Sequence, residues 1–73
     1  MDVEDTSHEE FADVDYLLST LTERDRAIMV MRFGLSGHKP MTLLAIGSQL
    51  GYTRERIRQI VDDCLSQFRG MIA

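Results

Sequence analysis

The chain has 73 residues, of which 44% are hydrophobic, and it contains one proline and one cysteine. This length allows one domain with one small core, and the single cysteine excludes an internal disulfide and a zinc site of four cysteine or histidine ligands. No apolar run approaches the roughly 20 residues that cross a bilayer, and the N-terminus lacks the basic and then apolar pattern of a secretory signal. We therefore expect a soluble, cytoplasmic protein with no membrane partner.

The net charge of −4 is unevenly distributed along the chain. Residues 1–15 hold seven acidic side chains and no basic one, whereas residues 16–73 hold all eight basic side chains and five acidic ones. Such asymmetry suggests that one part of a chain contacts nucleic acid. We expect residues 1–7 to form a flexible acidic segment and residues 8–73 to form the folded domain. The N-terminal acids either suit the start of a solvated helix, cover the basic face, or dock a basic partner.

Apolar residues recur at helical spacing through most of the chain, which predicts an all-α fold. The first helix is expected at about residues 8–20. Thr22 caps a second helix that ends at Gly34. Its predicted apolar positions are Ala27, Ile28, Met31 and Phe33. Residues 34–41 contain two glycines and the only proline, which predicts a loop.

Two more helices follow this loop. Thr42 is placed to cap a third helix, with Leu43, Ile46 and Leu50 facing inward. Gly51 ends that helix, and Thr53 caps a fourth. The apolar face of the fourth helix is the most regular in the chain and consists of Ile57, Ile60, Val61, Cys64, Leu65 and Phe68. The sequence thus predicts a four-helix, bundle-like domain.

The junction between the third and fourth helices has the pattern of a helix-turn-helix. Such a motif needs a left-handed residue in its turn and a small residue where the helices approach, and Gly51 and Gly47 match these needs. Apolar residues are also required before and after the turn, where Leu50, Ile57 and Ile60 occur. The chain therefore predicts a C-terminal helix-turn-helix.

The opening of the fourth helix carries side chains that can recognise base pairs. Arg54, Glu55, Arg58 and Gln59 share the face opposite the apolar stripe, and Arg56 lies to one flank. Arginine pairs with guanine, glutamine with adenine, and glutamate accepts a hydrogen bond from cytosine. Since the N-terminal part of the second helix of such a motif enters the major groove, we expect this face to contact DNA bases.

A simpler interpretation of the same residues exists. Arginines on solvated helix faces are common, and Arg58 and Asp62 are spaced to form an ordinary exposed ion pair. The turn pattern beside them favours DNA recognition.

No arrangement in the sequence indicates catalysis. His8 and His38 are isolated, Cys64 falls on the apolar stripe, and there is no carboxylate pair or phosphate-binding glycine loop. We expect no enzymatic activity, no metal and no cofactor.

Four stretches of the sequence resemble region 4 of the primary and related bacterial sigma factors. They are RFGL (residues 32–35), TL (42–43), IG (46–47) and TRERIRQI (53–60). The similarity runs from about Leu17 to Phe68. The resemblance implies a sigma-4-like domain in the cytoplasm, at the nucleoid, that binds the promoter −35 element. It also implies docking on the flap tip of the RNA polymerase β subunit.

The resemblance assigns roles to residues at matching positions. Residues expected to contact the −35 bases are Arg54, Glu55, Arg58 and Gln59, with Arg56 at their edge, near DNA or a regulator. Residues expected near the DNA backbone are Arg24, Arg32, Thr42 and Leu43. Residues expected in the core or in the pocket for the flap tip are Leu17, Leu21, Ile28 and Phe33.

The chain also departs from the family pattern. Leu44 replaces an acidic residue, Val30 stands where arginine is common, and Asp62 and Asp63 occupy a part of the fourth helix that is usually neutral or basic. Fewer positive charges weaken the phosphate contacts that supply most nonspecific affinity. The alternative function is therefore a small phage or bacterial sigma-4 mimic, which binds polymerase and redirects or inhibits transcription through protein–protein contacts.

Overall fold

The computed structural model of the protein describes residues 14–72, and the side chains of residues 14–71. This part of the chain is helical, without a strand. Its helices are α1 (residues 14–19), α2 (Glu23–Phe33), α3 (Leu43–Leu50) and α4 (Arg54–Ile72). The predicted all-α, four-helix fold is confirmed. Residues 8–13 of the predicted first helix and the acidic segment 1–7 lie outside the described residues.

The core lies between α4 and the three shorter helices. Its buried residues are Leu18, Leu21, Ile28, Met29, Met31, Ile46, Ile57, Ile60, Val61 and Cys64. The predicted apolar face of α4 is confirmed, since four of its members are buried while Leu65 and Phe68 are partly buried against the core. Desolvation in this core raises the pKa of the Cys64 thiol above its ordinary value of 9.0.

The apolar side of α2 differs from the prediction at two positions. Ile28 and Met31 are buried as expected, but Ala27 is exposed and Phe33 is 46% exposed, while Met29 is buried. Phe33 lies one turn after Met29 at the end of the helix, where its ring lines a surface pocket instead of the core.

Helix α3 buries less than its sequence suggests. Ile46 has no exposed surface and Leu43 is partly buried, but Leu50, predicted to face inward, is 36% exposed. Leu50 is the last residue of a helix of eight residues, so it lies at the edge of the contact with α4. The short helix buries only Ile46 and Gly47.

The predicted loop between α2 and α3 is confirmed and is tied back to α2. Gly34 adopts a left-handed conformation with φ 67° and ends α2 as expected. The backbone N–H of Met41 donates to the carbonyl of Met31 at 2.9 Å, which returns the chain to the side of α2 before α3 begins. This closure brings the start of α3 beside the second half of α2.

No helix within residues 14–72 has the length and apolarity needed to span a bilayer.

Candidate nucleic-acid interface

The turn between α3 and α4 has the geometry of a helix-turn-helix. Gly51 has φ 84°, a left-handed conformation that glycine adopts without strain. The N–H groups of Gly51 and Tyr52 both donate to the carbonyl of Gly47 at 2.8 Å. A Cβ atom on Gly47 would clash with the carbonyl oxygen of Tyr52 and lie 3.3 Å from that of Thr53. Both glycines are therefore required for the predicted reasons.

The start of α4 is fixed by a cap and by two buried side chains. The hydroxyl oxygen of Thr53 accepts a hydrogen bond from the N–H of Arg56 at 3.0 Å, as its sequence position predicts. Ile57 is fully buried and Ile60 is 3% exposed, so they set the rotation of the helix about its axis. The opposite face is left to solvent.

The four side chains predicted for base recognition, and Arg56 at their edge, lie on that solvent side. Arg54, Glu55, Arg56, Arg58 and Gln59 are exposed, and none is turned into the core. The first turn and a half of α4 thus presents guanidinium, amide and carboxylate groups on one open surface. This geometry satisfies the steric requirement for contact with a DNA groove.

Arg58 is held between two carboxylates on this surface. Its Nε donates to Glu55 Oε1 at 3.0 Å and its Nη2 to Glu55 Oε2 at 2.5 Å, while Nη1 donates to Asp62 Oδ2 at 2.6 Å. The hydrogen bond from Arg58 lowers the pKa of Glu55, and the hydrogen bond to Glu55 raises the pKa of Arg58. The Arg58–Asp62 pair considered as the simpler interpretation is present, but as one half of this bridge.

Sequence reasoning missed the second half of the bridge. Glu55 and Arg58 are three residues apart, a spacing at which oppositely charged side chains meet on a helix, so the signal was available. Because both side chains of the Glu55–Arg58 pair are exposed, the pair remains accessible to a ligand.

The four residues predicted near a DNA backbone are divided between two places. Arg24 lies beside the helix-turn-helix, with its guanidinium 5.8 Å from the centre of the Tyr52 ring and 2.9 Å from the carboxylate of Asp25. The other three residues, Arg32, Thr42 and Leu43, lie where α2 ends and α3 begins. Arg32 donates to the carbonyl of Met41 at 3.0 Å, and Leu43 is partly buried.

This second group surrounds the start of α3, and two of its members lie next to Arg58. Thr42 caps α3 by accepting a hydrogen bond from the N–H of Ala45 at 3.1 Å. Arg32 and Leu43 line a hollow of about 230 Å³ together with Arg58 and Asp62. The structure therefore places the start of α3, the end of α2 and the opening of α4 around one surface.

An apolar pocket of about 210 Å³ lies between α1, α2 and α4, and it shares Phe33 and Leu65 with the hollow beside Arg58. It is lined by Val14, Leu17, Leu18, Met29, Phe33, Leu35, Leu65 and Phe68. We call this set the apolar pocket. Its lining distinguishes pocket residues from core residues among the four that the sequence assigned to core or pocket without separating them. Leu17 and Phe33 line the pocket, whereas Leu21 is 8% exposed and Ile28 has no exposed surface, so these two belong to the core.

Among residues 14–72, no three histidine, cysteine, aspartate or glutamate side chains lie close enough to hold a metal ion.

Comparison with known proteins places these features in a family. The family model described as Sigma-70, region 4 matches residues 17–70. The chain is 42% identical over 59 residues to RNA polymerase sigma factor RpoS of Coxiella burnetii, which covers 81% of this chain and 17% of that protein. It is 44% identical over 57 residues to the RNA polymerase sigma-C factor of a Nostoc species, covering 78% of this chain and 14% of that protein.

A third relative gives the same result. The RNA polymerase sigma-B factor of the same Nostoc strain is 36% identical over 59 residues, or 81% of this chain and 18% of that protein. The chain thus spans less than a fifth of the length of these relatives. With a matching family model over most of its helices and a helix-turn-helix built on Gly47 and Gly51, the chain belongs to the sigma-70 region 4 family.

Proposed function

We propose that the protein recognises promoter DNA of the −35 type through the opening of α4 while its apolar pocket docks on the flap tip of the RNA polymerase β subunit. One observation carries the proposal. The exposed face at the start of α4 combines three base-recognising chemistries directly after a helix-turn-helix turn. The similarity of the chain to proteins named RNA polymerase sigma factors supports the same role. This role would place the protein at the nucleoid, in the cytoplasm.

The composition of the exposed face supports base recognition over simple phosphate binding. A surface that binds only phosphates gains nothing from Glu55, because DNA phosphates repel a carboxylate. Beside a base edge, the same carboxylate accepts a hydrogen bond from the amino group of cytosine. Arg54 and Gln59 supply the donors that pair with guanine and adenine. Arg24, Arg32, Thr42 and Leu43 are expected to contact the DNA backbone beside these bases.

The small positive charge of α4 implies that polymerase is needed for firm DNA binding. The helix carries four arginines and three acidic residues, a net charge of +1. Few phosphate contacts give weak nonspecific affinity and a shallow dependence of affinity on salt, with a slope of about −0.9 for each phosphate neutralised. Tethering on polymerase raises the effective concentration of the module near the promoter and compensates for this weakness.

The apolar pocket supports the second part of the proposal. All its lining side chains are apolar, and Val14 and Phe33 at its rim are 39% and 46% exposed. A pocket of this kind suits an amphipathic helix that inserts its apolar side chains. In the family that the sequence resembles, the docking partner is the flap-tip helix of the RNA polymerase β subunit, so we assign that helix as the occupant.

Substituting one arginine at the opening of α4 tests the DNA-binding part of the proposal. We expect Arg54→Ala to weaken binding to a −35 duplex, in the presence of RNA polymerase, by about 5- to 150-fold. Arg69→Ala is the matched control, because it removes the same charge from the last turn of the same helix. Equal losses in both variants, or no loss in either, would contradict base recognition by α4.

One observation favours the second candidate function, a polymerase-binding sigma-4 mimic. The bridge that neutralises Arg58, together with the exposed Asp63, makes the surface after the helix opening acidic. A mimic would keep the apolar pocket and lose little when Arg54 is replaced. Under this alternative, Arg54→Ala leaves polymerase binding and its regulatory effect unchanged.

A further inference from the structure

Asp62 lies one turn after Arg58 on the exposed face of α4. Its Oδ2 accepts a hydrogen bond from Arg58 Nη1 at 2.6 Å, and the two side chains are 56% and 49% exposed. Asp62 does not belong to the group of side chains that the sequence assigned to base contact. Its position nevertheless bears directly on one member of that group.

The bridge occupies Arg58 in a specific way. A guanidinium offers two forks of paired N–H groups, one from Nε and Nη2 and the other from Nη1 and Nη2. Glu55 fills the first fork with both carboxylate oxygens, at 3.0 and 2.5 Å. The second fork is therefore the one left for a bidentate partner such as the N7 and O6 atoms of guanine. Asp62 takes Nη1, one of its two nitrogens.

We infer that Asp62 is a positioning residue that competes with DNA for Arg58 and thereby lowers the affinity of the helix opening for a duplex. The inference rests on the proposed function. In the unbound protein, the Arg58 side chain is drawn along the helix toward Asp62. Binding to a duplex must break this contact before the second fork of Arg58 meets a base or a phosphate.

Glu55 does not share this role. Its carboxylate lies in the first turn of α4 beside Arg54, on the surface assigned to base contact, so it moves into the groove together with Arg58. Asp62 lies one turn further along the helix, away from the opening. Asp62 is therefore the partner that Arg58 must leave, and Glu55 is the partner that it keeps.

The magnitude of the effect is limited by the exposure of the pair. Exposed ion pairs are weak, since water and salt screen them, and breaking one changes an equilibrium by roughly two- to fivefold. We therefore expect Asp62→Ala to raise the affinity for a −35 duplex about two- to fivefold at moderate salt. Because salt also weakens the Arg58–Asp62 pair, the gain should shrink as ionic strength rises.

Loss of a negative charge near DNA would by itself raise affinity, so a matched control is needed. Asp63→Ala makes the same change one residue further along the helix. Asp63 is exposed, and no ion pair to it occurs within the described part of the chain. A general charge effect raises affinity in both variants, whereas competition for Arg58 raises it mainly in Asp62→Ala.

A double-mutant cycle in duplex binding, with polymerase present, makes the distinction sharper. The four proteins are the wild type, Asp62→Ala, Arg58→Ala and the double variant. We expect the gain from Asp62→Ala to disappear when Arg58 is already alanine, because the competition then has no object. Thermal unfolding of all four proteins checks that a change in stability does not produce the difference.

The outcomes separate this inference from the proposed function. Wild-type protein that fails to bind the duplex contradicts the proposed function itself. Wild-type protein that binds while Asp62→Ala has unchanged affinity, or gains equally with and without Arg58, overturns the inference alone.

Discussion

Two glycines with different physical roles shape the junction on which the proposed DNA contact depends. Gly51 supplies a backbone conformation with φ 84°, and a Cβ atom there would meet no neighbouring atom. Gly47 has ordinary helical geometry, but a Cβ atom there would collide with the carbonyl oxygen of Tyr52 and make a tight contact with the backbone of Thr53. Replacing Gly51 therefore strains one residue, whereas replacing Gly47 forces the two helices apart.

This difference predicts the effect of single methyl groups. Gly47→Ala should lower the free energy of unfolding by about 1–3 kcal/mol, since backbone atoms cannot move aside as a flexible side chain can. Gly70→Ala is the control, because Gly70 lies in the last turn of α4 with open space around its Cβ position, and it should not lower the free energy of unfolding. Chemical denaturation measures both changes. Equal effects of the two substitutions would contradict the close approach at Gly47.

At the scale of elements, α4 is the helix that joins the core to the proposed interface. Ile57 and Ile60 anchor one side while Arg54 and Gln59 stand on the other, so the packing of the apolar side sets the direction of the polar side. Thr53 caps the helix at the point where these arginines begin. The cap therefore supports both the stability and the orientation of the opening.

Removing the cap tests this link. Thr53→Ala should lower the free energy of unfolding by about 1 kcal/mol, because the N–H of Arg56 loses its acceptor. Thr53→Ser keeps the hydroxyl oxygen and should stay close to the wild type. Urea denaturation gives the comparison. A serine variant as unstable as the alanine variant would show that the methyl group of Thr53, rather than its hydroxyl, matters.

The helices and the turn could be predicted from sequence because their signals are local. Capping threonines, turn glycines and the regular spacing on α4 depend on neighbours within a few residues, and the structure agrees at Thr22, Thr42 and Thr53. Exposure at helix ends depends instead on what packs there. Phe33 and Leu50 are apolar and correctly spaced, yet both end a helix and remain partly in solvent.

The candidate site shows the same division between local and nonlocal information. The exposed face of α4 follows from helical spacing alone. The hollow that joins Arg32 and Leu43 to Arg58 requires the path of the loop back along α2, which no local pattern in the sequence specifies. The apolar pocket likewise depends on how α1 meets α2 and α4.

For the whole molecule, the two proposed contacts occupy different surfaces. The residues proposed to contact DNA lie at the opening of α4, whereas Leu65 and Phe68 of the same helix line the apolar pocket further along. The apolar pocket meets the hollow beside Arg58 at Phe33 and Leu65, which line both. A substitution at a pocket residue outside this shared wall should leave the proposed DNA contact intact. In the proposed function, the protein would connect polymerase and promoter through these two neighbouring surfaces.

Replacing a pocket residue that does not line the hollow beside Arg58 tests this separation. Leu17→Ala should weaken binding to RNA polymerase by about fivefold or more, as expected for an apolar anchor, while duplex binding measured without polymerase at low salt is unchanged. Tyr16→Ala is the control, since Tyr16 is a large side chain that is 64% exposed and lies outside the pocket. Identical polymerase affinity in the Leu17 variant and the wild type would argue against docking through this pocket.

The most direct test of DNA recognition by α4 is a set of −35 duplexes, each with one base pair replaced, whose affinities are measured with polymerase present. Gln59→Ala should lose discrimination at one base pair, an adenine–thymine pair, and keep the wild-type preferences elsewhere. Gln67→Ala, an exposed glutamine two turns further along the same helix, should keep all of them. A Gln59→Ala profile that matches the wild type at every base pair, or a uniform loss across all duplexes, would contradict base recognition by the opening of α4.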